Sequence, residues 1–450
     1  MSIELPAKIL SDDLVRRLKE DLHLKGKKTK QGGKARVSEL HALITTDRSY
    51  IIPLHYARGL IELTGMREPR PVHFKIAELS FRDDQYCQQK PVFVEAMKVL
   101  KEQKSVFLQL HCGWGKTWMA LAIAAHLGLR TMVLVHRRFL AGQFLTESEV
   151  VMPGQMMFIE DNEAAEQLAY IEGPKVPQMC NMFVCTDRRA LTLPKAFTST
   201  IDFLIVDEAK YWCTPERVKA LLAFNPTHTM GLCAERERKD GYHTILAFFF
   251  GHNIFRKSCK PFIVHKYFTS FVPKIQKPAG YSRARIDWNV AMQSLSQNEK
   301  RNEMICNICR LRQNNKIMIL VHLREHVETL ERMLKAYGEK VATFYAKKDS
   351  YSNCRILIAT YSKAEMGFDD KNLCENFDGE RLDLLILGAF YKEEIEQSAG
   401  RVMRSDAPEV IDIVDNHPSL SKHSKTRDKW FKSRNGQVMP AEYFFDMKLG

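Results

Sequence analysis

Residues 105–117 read Ser-Val-Phe-Leu-Gln-Leu-His-Cys-Gly-Trp-Gly-Lys-Thr, and the expected fold is worked outward from them. The apolar run 106–110 predicts a buried strand. Cys112, Gly113, Trp114, Gly115, Lys116 and Thr117 predict a tight turn. Residues 117–126 (TWMALAIAAH) are rich in strong helix formers and predict a helix. Strand, glycine loop, Lys-Thr and helix form the context of a phosphate loop. Gly113 and Gly115 permit backbone angles that aim successive N–H groups inward, and the helix N-terminus adds partial positive charge. On this reading Lys116 reaches the β- and γ-phosphates of a nucleotide and the Thr117 hydroxyl holds Mg²⁺. The same residues also suit a plain strand-to-helix turn, and Leu110 stands where the full phosphate-loop pattern has a further glycine.

A chain of 450 residues predicts two to three domains. Its hydrophobic fraction, 45%, suffices for sizeable cores, and 27% charged residues with ordinary Gly and Pro content argue against disorder. The net charge of +13 favours a polyanionic partner, nucleic acid first and an anionic membrane surface second. Residues 1–14 (MSIELPAKILSDDL) lack the apolar core of a secretion signal. No apolar run approaches the ~20 residues that span a bilayer. The 11 cysteines are scattered and odd in number, which reads as reduced thiols in a cytosol-like compartment. Cys306 and Cys309 fall in a helical-looking run, where packing on a helix face is expected rather than zinc.

Strand-like and helix-like stretches alternate along the chain, predicting an α/β protein with two parallel sheets in series behind an N-terminal module. The expected divisions are 1–80 for the module, 81–250 for the first sheet domain, 251–300 for a proline-bearing connection and 301–450 for the second sheet domain. Residues 25–36 (KGKKTKQGGKAR) hold six basic residues and no acid; this suits a solvated loop or a nucleic-acid contact.

Two further signals support the phosphate loop. The run 203–206 (FLIV) ends in Asp207-Glu208-Ala209-Lys210. Carboxylates at the C-terminal end of a buried strand lie where α/β sheets bind ligands. Asp207 suits Mg²⁺, directly or through water, and Glu208 suits proton acceptance from an attacking water. Farther on, residues 396–404 (EQSAGRVMR) place Arg401 and Arg404 three apart, on one face if helical.

With these in view the chain resembles the superfamily 2 helicases, and among them the helicases of large DNA viruses, including the poxvirus transcript-release helicase. The resemblance covers roughly residues 81–434. It is carried by 112–117, 133–144 (VLVHRRFLAGQF), 207–210, 231–241 (GLCAERERKDG), 317–330, 356–369 and 395–404. It implies two tandem RecA-like domains that hydrolyse ATP between them. ATP and Mg²⁺ are the implied cofactors. Lys116, Glu208, Arg401 and Arg404 are the implied catalytic residues. Cys112, Gly113, Trp114, Gly115, Lys116, Thr117, Gly367, Asp369 and Gln397 are implied at the nucleotide, Thr117 and Asp207 at the metal, and Thr186 and Thr360 at nucleic acid. The implied partner is DNA or RNA, with transcription or replication machinery beyond it and no membrane. The implied location is the host cytoplasm or nucleus, or the virion, and the chain is not expected to be secreted. Gln89 is the best candidate for recognising adenine. Trp430 and Phe431, in a basic tail (422–434), suit stacking on bases or packing on the second sheet. The sequence departs from the family at Lys210, in place of histidine, and at Cys233-Ala234-Glu235-Arg236, in place of Ser-Ala-Thr-Pro. These departures bear on coupling, so a binding protein that does not unwind is the alternative. A different phosphate-loop enzyme, such as a nucleotide kinase, is a more distant one.

Overall fold

The computed structural model describes the chain except residues 27–28, 32–33, 37–38, 61–67, 85–86, 161–179, 239, 258, 276–286, 365–367, 390–394, 441 and 444–450; at 29–31, 34–36, 442 and 443 it describes backbone only. The chain divides into two compact units, Met1–Lys257 and Ser258–Gly450.

The first unit is built on a seven-stranded, all-parallel sheet. Its order is Met156–Phe158, Met182–Thr186, Thr131–Val135, Phe203–Val206, His228–Cys233, Ser105–Gln109, Ile254–Arg256. Residues of the inner strands are buried on both faces, as a parallel sheet covered twice requires. Alternate positions serve opposite layers. Val106, Leu108, Val133, Val135, Ile205 and Leu232 face the helices Gln89–Gln103, Lys116–Leu127 and Arg138–Val151. Phe107, Leu134, Phe183, Leu204 and Cys233 face the other way, against Pro215–Leu222 and Leu246–Phe250.

The N-terminal segment, expected to stand apart, shares that second layer. Met1, Leu5, Leu18, Leu40 and Ile52 belong to the same apolar cluster as Trp212, Val218 and Phe249. Ser2 donates its backbone N–H to the Phe224 carbonyl at 2.8 Å. A three-stranded antiparallel sheet (Ser2–Pro6, Ser49–Pro53, Ile44–Thr45) and the helix Asp12–Asp21 therefore act as a cover for the first sheet.

The second unit carries an eight-stranded parallel sheet. Val341–Phe344, Ile356–Thr360, Ile317–Val321, Leu384–Leu387, Glu409–Val414, Phe262–Phe268 and Gly436–Val438 follow in order, with Glu442–Tyr443 also pairing with Phe262–Phe268. Its two faces again separate by alternation. Ile317, Ile319, Ile358 and Ile411 meet the helices Trp288–Ser296, Glu299–Leu311 and Arg324–Ala336. Met318, Leu320, Leu357 and Val410 meet the segment around Ala399 and Val402 and the tail residue Phe431. The two units are thus tandem RecA-like α/β folds. Among the described residues no helix is long and apolar enough to cross a membrane.

Two further expectations change. The connection 251–300 contains structured elements of both units. Ile254–Arg256 closes the edge of the first sheet, and Phe262–Phe268 lies inside the second. His265 and Lys266 interrupt the apolar run of that strand and hide it in the sequence. The fold answers them with Glu409, 3.1 Å from the His265 ring, and Asp428, 2.6 Å from the Lys266 ammonium. The helix that would set Arg401 and Arg404 on one face is described only as Glu396–Ala399. Cys306 and Cys309 are, as read, buried positions on a helix, and burial pushes the Cys306 thiol up to about 12.

Candidate functional site

All strands of the first sheet run parallel, so their C-terminal ends share one edge. Leu110, Asp207 and Ala234 follow directly after Ser105–Gln109, Phe203–Val206 and His228–Cys233, the last of these lying between the other two. The Leu110 N–H donates to the Cys233 carbonyl at 3.0 Å, tying the start of the loop to the central strand.

The loop has the geometry its glycines allow. Gly113 and Gly115 sit at φ 82° and 98°. Gly115 precedes the helix Lys116–Leu127, whose N-terminus has no side-chain cap. The first-turn N–H groups of such a helix are natural donors to an anion. A Cβ on Gly115 would lie 2.7 Å from Gln89 Nε2 and 3.0 Å from an Arg82 guanidinium nitrogen, so glycine is required twice over. Gln89 is 2% exposed and donates from Nε2 to the Trp114 carbonyl at 2.9 Å, while its Oε1 accepts the Arg82 N–H at 2.8 Å. Arg82 donates to the Gly113 and Trp114 carbonyls at 3.1 and 2.7 Å. Gln89 is therefore a brace of the loop in this structure. Arg82 was missed because a single arginine before a helix carries no sequence signal. Trp114 turns its ring into the core and is 1% exposed, leaving its backbone to the loop. Cys112 and Thr117 are half-buried.

Lys116 folds over the loop, donating to the Leu110 and His111 carbonyls at 3.0 and 3.3 Å. Burial opposes its charge, but Cys112, Glu208 and Asp207 outweigh it and hold its pKa above the ordinary lysine value. The phosphate-loop lysine and the carboxylate pair thus meet at one place. Asp207 is 7% exposed. Burial, helped by the charge of Glu208 and opposed by Lys116, pushes its pKa up to about 7. Glu208 has left-handed backbone angles, φ 46° and ψ 52°, which an L-residue adopts at a cost of about 1 kcal/mol. The Trp212 indole donates to the Asp207 carbonyl at 3.0 Å and helps fix this turn. After it, Thr214 and Pro215 open the helix Pro215–Leu222, although the threonine hydroxyl makes no capping bond.

A carboxylate raised from its unfolded value stabilises the fold fully only below that unfolded value. The contribution fades as pH climbs toward 7. Asp207→Asn removes this loss. The melting temperature of Asp207→Asn should exceed that of the parent by an amount that widens between pH 5 and pH 8, reaching several degrees. Scanning fluorimetry at the two pH values measures it, and a gap independent of pH would refute the raised pKa.

The two departures from the family pattern meet each other. Lys210 Nζ lies 3.0 Å from Glu235 Oε2, with the side chains 14% and 31% exposed. Burial opposes the Lys210 charge, yet Glu235 and Cys233 raise its pKa overall. Arg238 donates to the Lys210 carbonyl at 2.9 Å and pairs with Asp240. Cys233 is fully buried, with Sγ 2.8 Å from the Glu235 carbonyl and 3.7 Å from Glu208 Oε2. Segment 233–238 is thereby bound to the turn that carries Asp207 and Glu208. No single position announces this link, because the sequence shows two substitutions and the fold shows one ion pair.

In the second unit, Arg401 and Arg404 both donate to the Phe368 carbonyl, at 2.8 and 3.3 Å. They lie in turns after the short helix Glu396–Ala399 rather than on a longer helix, yet they still converge on one acceptor. Asp369 binds Arg404 at 3.1 Å and Arg381 at 2.8 Å. Burial works against that carboxylate, but the two guanidiniums prevail and hold its pKa below the usual range. Gly367 lies outside the described residues. Gln397 is half-buried beside Glu396. Glu396, 6% exposed, accepts from the Trp430 indole at 2.9 Å and from Arg434 at 3.0 and 2.8 Å. Trp430, half-buried, packs against Phe262, and Phe431 is fully buried in the core of the second unit. Arg427 is likewise spent, on buried Asp412.

The nucleic-acid candidates stand at strand ends. Thr186 ends Met182–Thr186, and its hydroxyl accepts the Arg189 N–H at 3.4 Å as a helix cap. Thr360 ends Ile356–Thr360 and is 7% exposed. Most of the basic run 25–36 has no described side chains.

Against known proteins, the family model described as type III restriction enzyme, res subunit, matches residues 79–238. "Putative helicase 055L" of Frog virus 3 (isolate Goorha) is 31% identical over 351 residues, covering 76% of this chain and 75% of that protein. This chain belongs to the superfamily 2 helicases. "Putative helicase 161L" of Invertebrate iridescent virus 6 is 27% identical over 420 residues, covering 86% and 88% of the two chains. The crystal structure of the Pyrococcus furiosus Hef helicase domain aligns at a TM-score of 0.49 and 13% identity, over 78% of this chain and all of that one. Family membership carries with it a helicase or translocase role and the use of ATP.

Proposed function

We propose that the chain is an ATP-hydrolysing nucleic-acid motor, directed to DNA, as its likeness to helicases of large DNA viruses suggests. The observation that carries this reading is the meeting of Lys116, Asp207 and Glu208 at one sheet edge, with their charges coupled. The uncapped helix N-terminus and Lys116 would hold the triphosphate. Thr117 and Asp207 are a hard-oxygen pair of the kind Mg²⁺ takes, and the ion, when bound, neutralises phosphate charge. Glu208 would accept the proton of the attacking water, its carboxylate aimed by the left-handed turn. Arg401 and Arg404 of the second unit would supply positive charge to the γ-phosphate. Gly367, Asp369 and Gln397 would border the nucleotide, and Thr186 and Thr360 would contact the strand. Thr186 can do so while capping its helix, because its hydroxyl accepts the Arg189 N–H and keeps its own proton to donate.

The test is ATP turnover titrated in parallel with single-stranded DNA, duplex DNA and RNA. Stimulation should be largest with DNA and should fall as salt rises, because the strand is held through its phosphates. Equal turnover with and without every nucleic acid would contradict the reading.

The second reading, binding without coupling, rests on the loss of the usual hydroxyls at 233–236. The Lys210–Glu235 pair supports coupling instead. Lys210→Ala and Glu235→Ala should each cut the stimulation of ATP turnover by nucleic acid several-fold. The reversed pair, Lys210→Glu with Glu235→Lys, should recover part of it, with an interaction energy of about 1 kcal/mol in the double-mutant cycle. Strictly additive effects would leave the pair without a coupling role.

A further inference from the structure

The N-terminal cover carries a cluster that the motor reading does not use. His23–Lys25 and Glu39–His41 form a two-stranded antiparallel ribbon, with His23 opposite His41 and Lys25 opposite Glu39. Alternation sends Leu40 into the core at 0% exposure and Leu24 against it, leaving His23, Glu39 and His41 together on the outer face. The two imidazoles stack with centroids 4.2 Å apart and planes 13° apart. Glu39 Oε2 lies 3.2 Å from His23 Nε2 and 4.0 Å from His41 Nε2, and the three donor atoms all fall within 4.8 Å of one another. His23 Nε2 is shielded from solvent.

We propose that His23, His41 and Glu39 form a site for a divalent transition-metal ion of borderline softness, zinc by class. Two imidazole nitrogens and one carboxylate oxygen are the donors such an ion takes, and three protein ligands leave one position for water. Both rings bind through Nε2, so each keeps its proton on Nδ1 and must be neutral. The register explains why the donors converge: directly opposed positions on an antiparallel pair lie about 4.5–5.5 Å apart, and Glu39 is two residues from His41 on the same face. The ion would clip the base of the segment between the two strands, which is where the basic run 25–36 lies. A two-stranded ribbon is marginal on its own, and a cross-link at its foot stabilises it.

The experiment uses the full-length chain, stripped with chelator, desalted and titrated with zinc chloride by calorimetry. One ion per chain is expected. Its affinity should fall by more than about 100-fold in the His23→Ala/His41→Ala variant and by about tenfold or more in Glu39→Gln. Zinc should raise the melting temperature of the parent and not of the double variant. In chelator the two should melt alike, which separates loss of ligands from loss of fold. Cobalt substitution should give no thiolate charge-transfer band, distinguishing this site from the cysteines. Undiminished zinc affinity in the double variant, a thiolate band, or no uptake by the parent, leaving a histidine–glutamate ion pair only, would each overturn the proposal.

Discussion

Arg401→Ala should lower the turnover number for ATP by about 10³-fold or more while changing ATP affinity little. The expectation follows from where a guanidinium acts: its charge is worth most as negative charge spreads over the transferring phosphoryl group, and less in the ground state. On the proposed function, Arg401→Lys should fail to restore activity, because an ammonium cannot reproduce a planar fork that donates to the Phe368 carbonyl and would donate to a phosphate oxygen. The Phe368 carbonyl loses a donor in the alanine variant. Arg404 still donates to it, so only a small fall in melting temperature is expected, from about 0.5–1.5 kcal/mol for one lost hydrogen bond. Turnover should be compared well below both transitions, by single-turnover hydrolysis alongside fluorescent-nucleotide binding. Arg404→Ala should show a smaller defect in which fold and chemistry mix, since Arg404 also neutralises Asp369.

Lys116→Ala should abolish measurable ATP turnover and weaken triphosphate binding as well, which distinguishes it from Arg401→Ala. Lys116 has two duties. In the ligand-free protein it spans the Leu110 and His111 carbonyls and offsets the charge of Asp207 and Glu208. With triphosphate present it would contact the β- and γ-phosphates. Removing it leaves two carboxylates side by side without their counter-charge, so the Asp207 pKa should rise further. The variant should then lose more stability than the parent as pH rises from 5 to 8, the direction opposite to Asp207→Asn. Steady-state turnover, nucleotide binding and melting temperature at the two pH values together separate these effects.

How far the sequence disclosed this molecule depends on what each feature rests on. The parallel strands were legible because both faces are buried, which leaves unbroken apolar runs such as 131–135 and 317–321. The loop, the carboxylate pair and the two arginines stood out because each sets particular residue types at fixed offsets. Features that depend on residues distant in sequence were not. Phe262–Phe268 was concealed by His265 and Lys266, whose partners lie about 140 and 160 residues farther along. The place of the N-terminal segment is set by apolar contacts with Trp212, Val218 and Phe249, which no local pattern reports. Lys210 and Glu235 each broke the family pattern when read singly, and only their 3.0 Å separation gives them a common purpose. Trp430, in a basic tail, suited either stacking on bases or packing on the second sheet, and the bond from its indole N–H to Glu396, 34 residues away, has no local signal.

The central claim is that water is activated by Glu208 at the edge of the first sheet, beside a triphosphate held by Lys116. The most direct measurement is ATP turnover by Glu208→Gln and by the parent at saturating single-stranded DNA, with nucleotide affinity determined on the same samples. The account predicts turnover lower by about 10²–10⁴-fold with affinity retained, because the amide keeps the shape and loses the basicity. Turnover equal to that of the parent, at equal affinity, would contradict it.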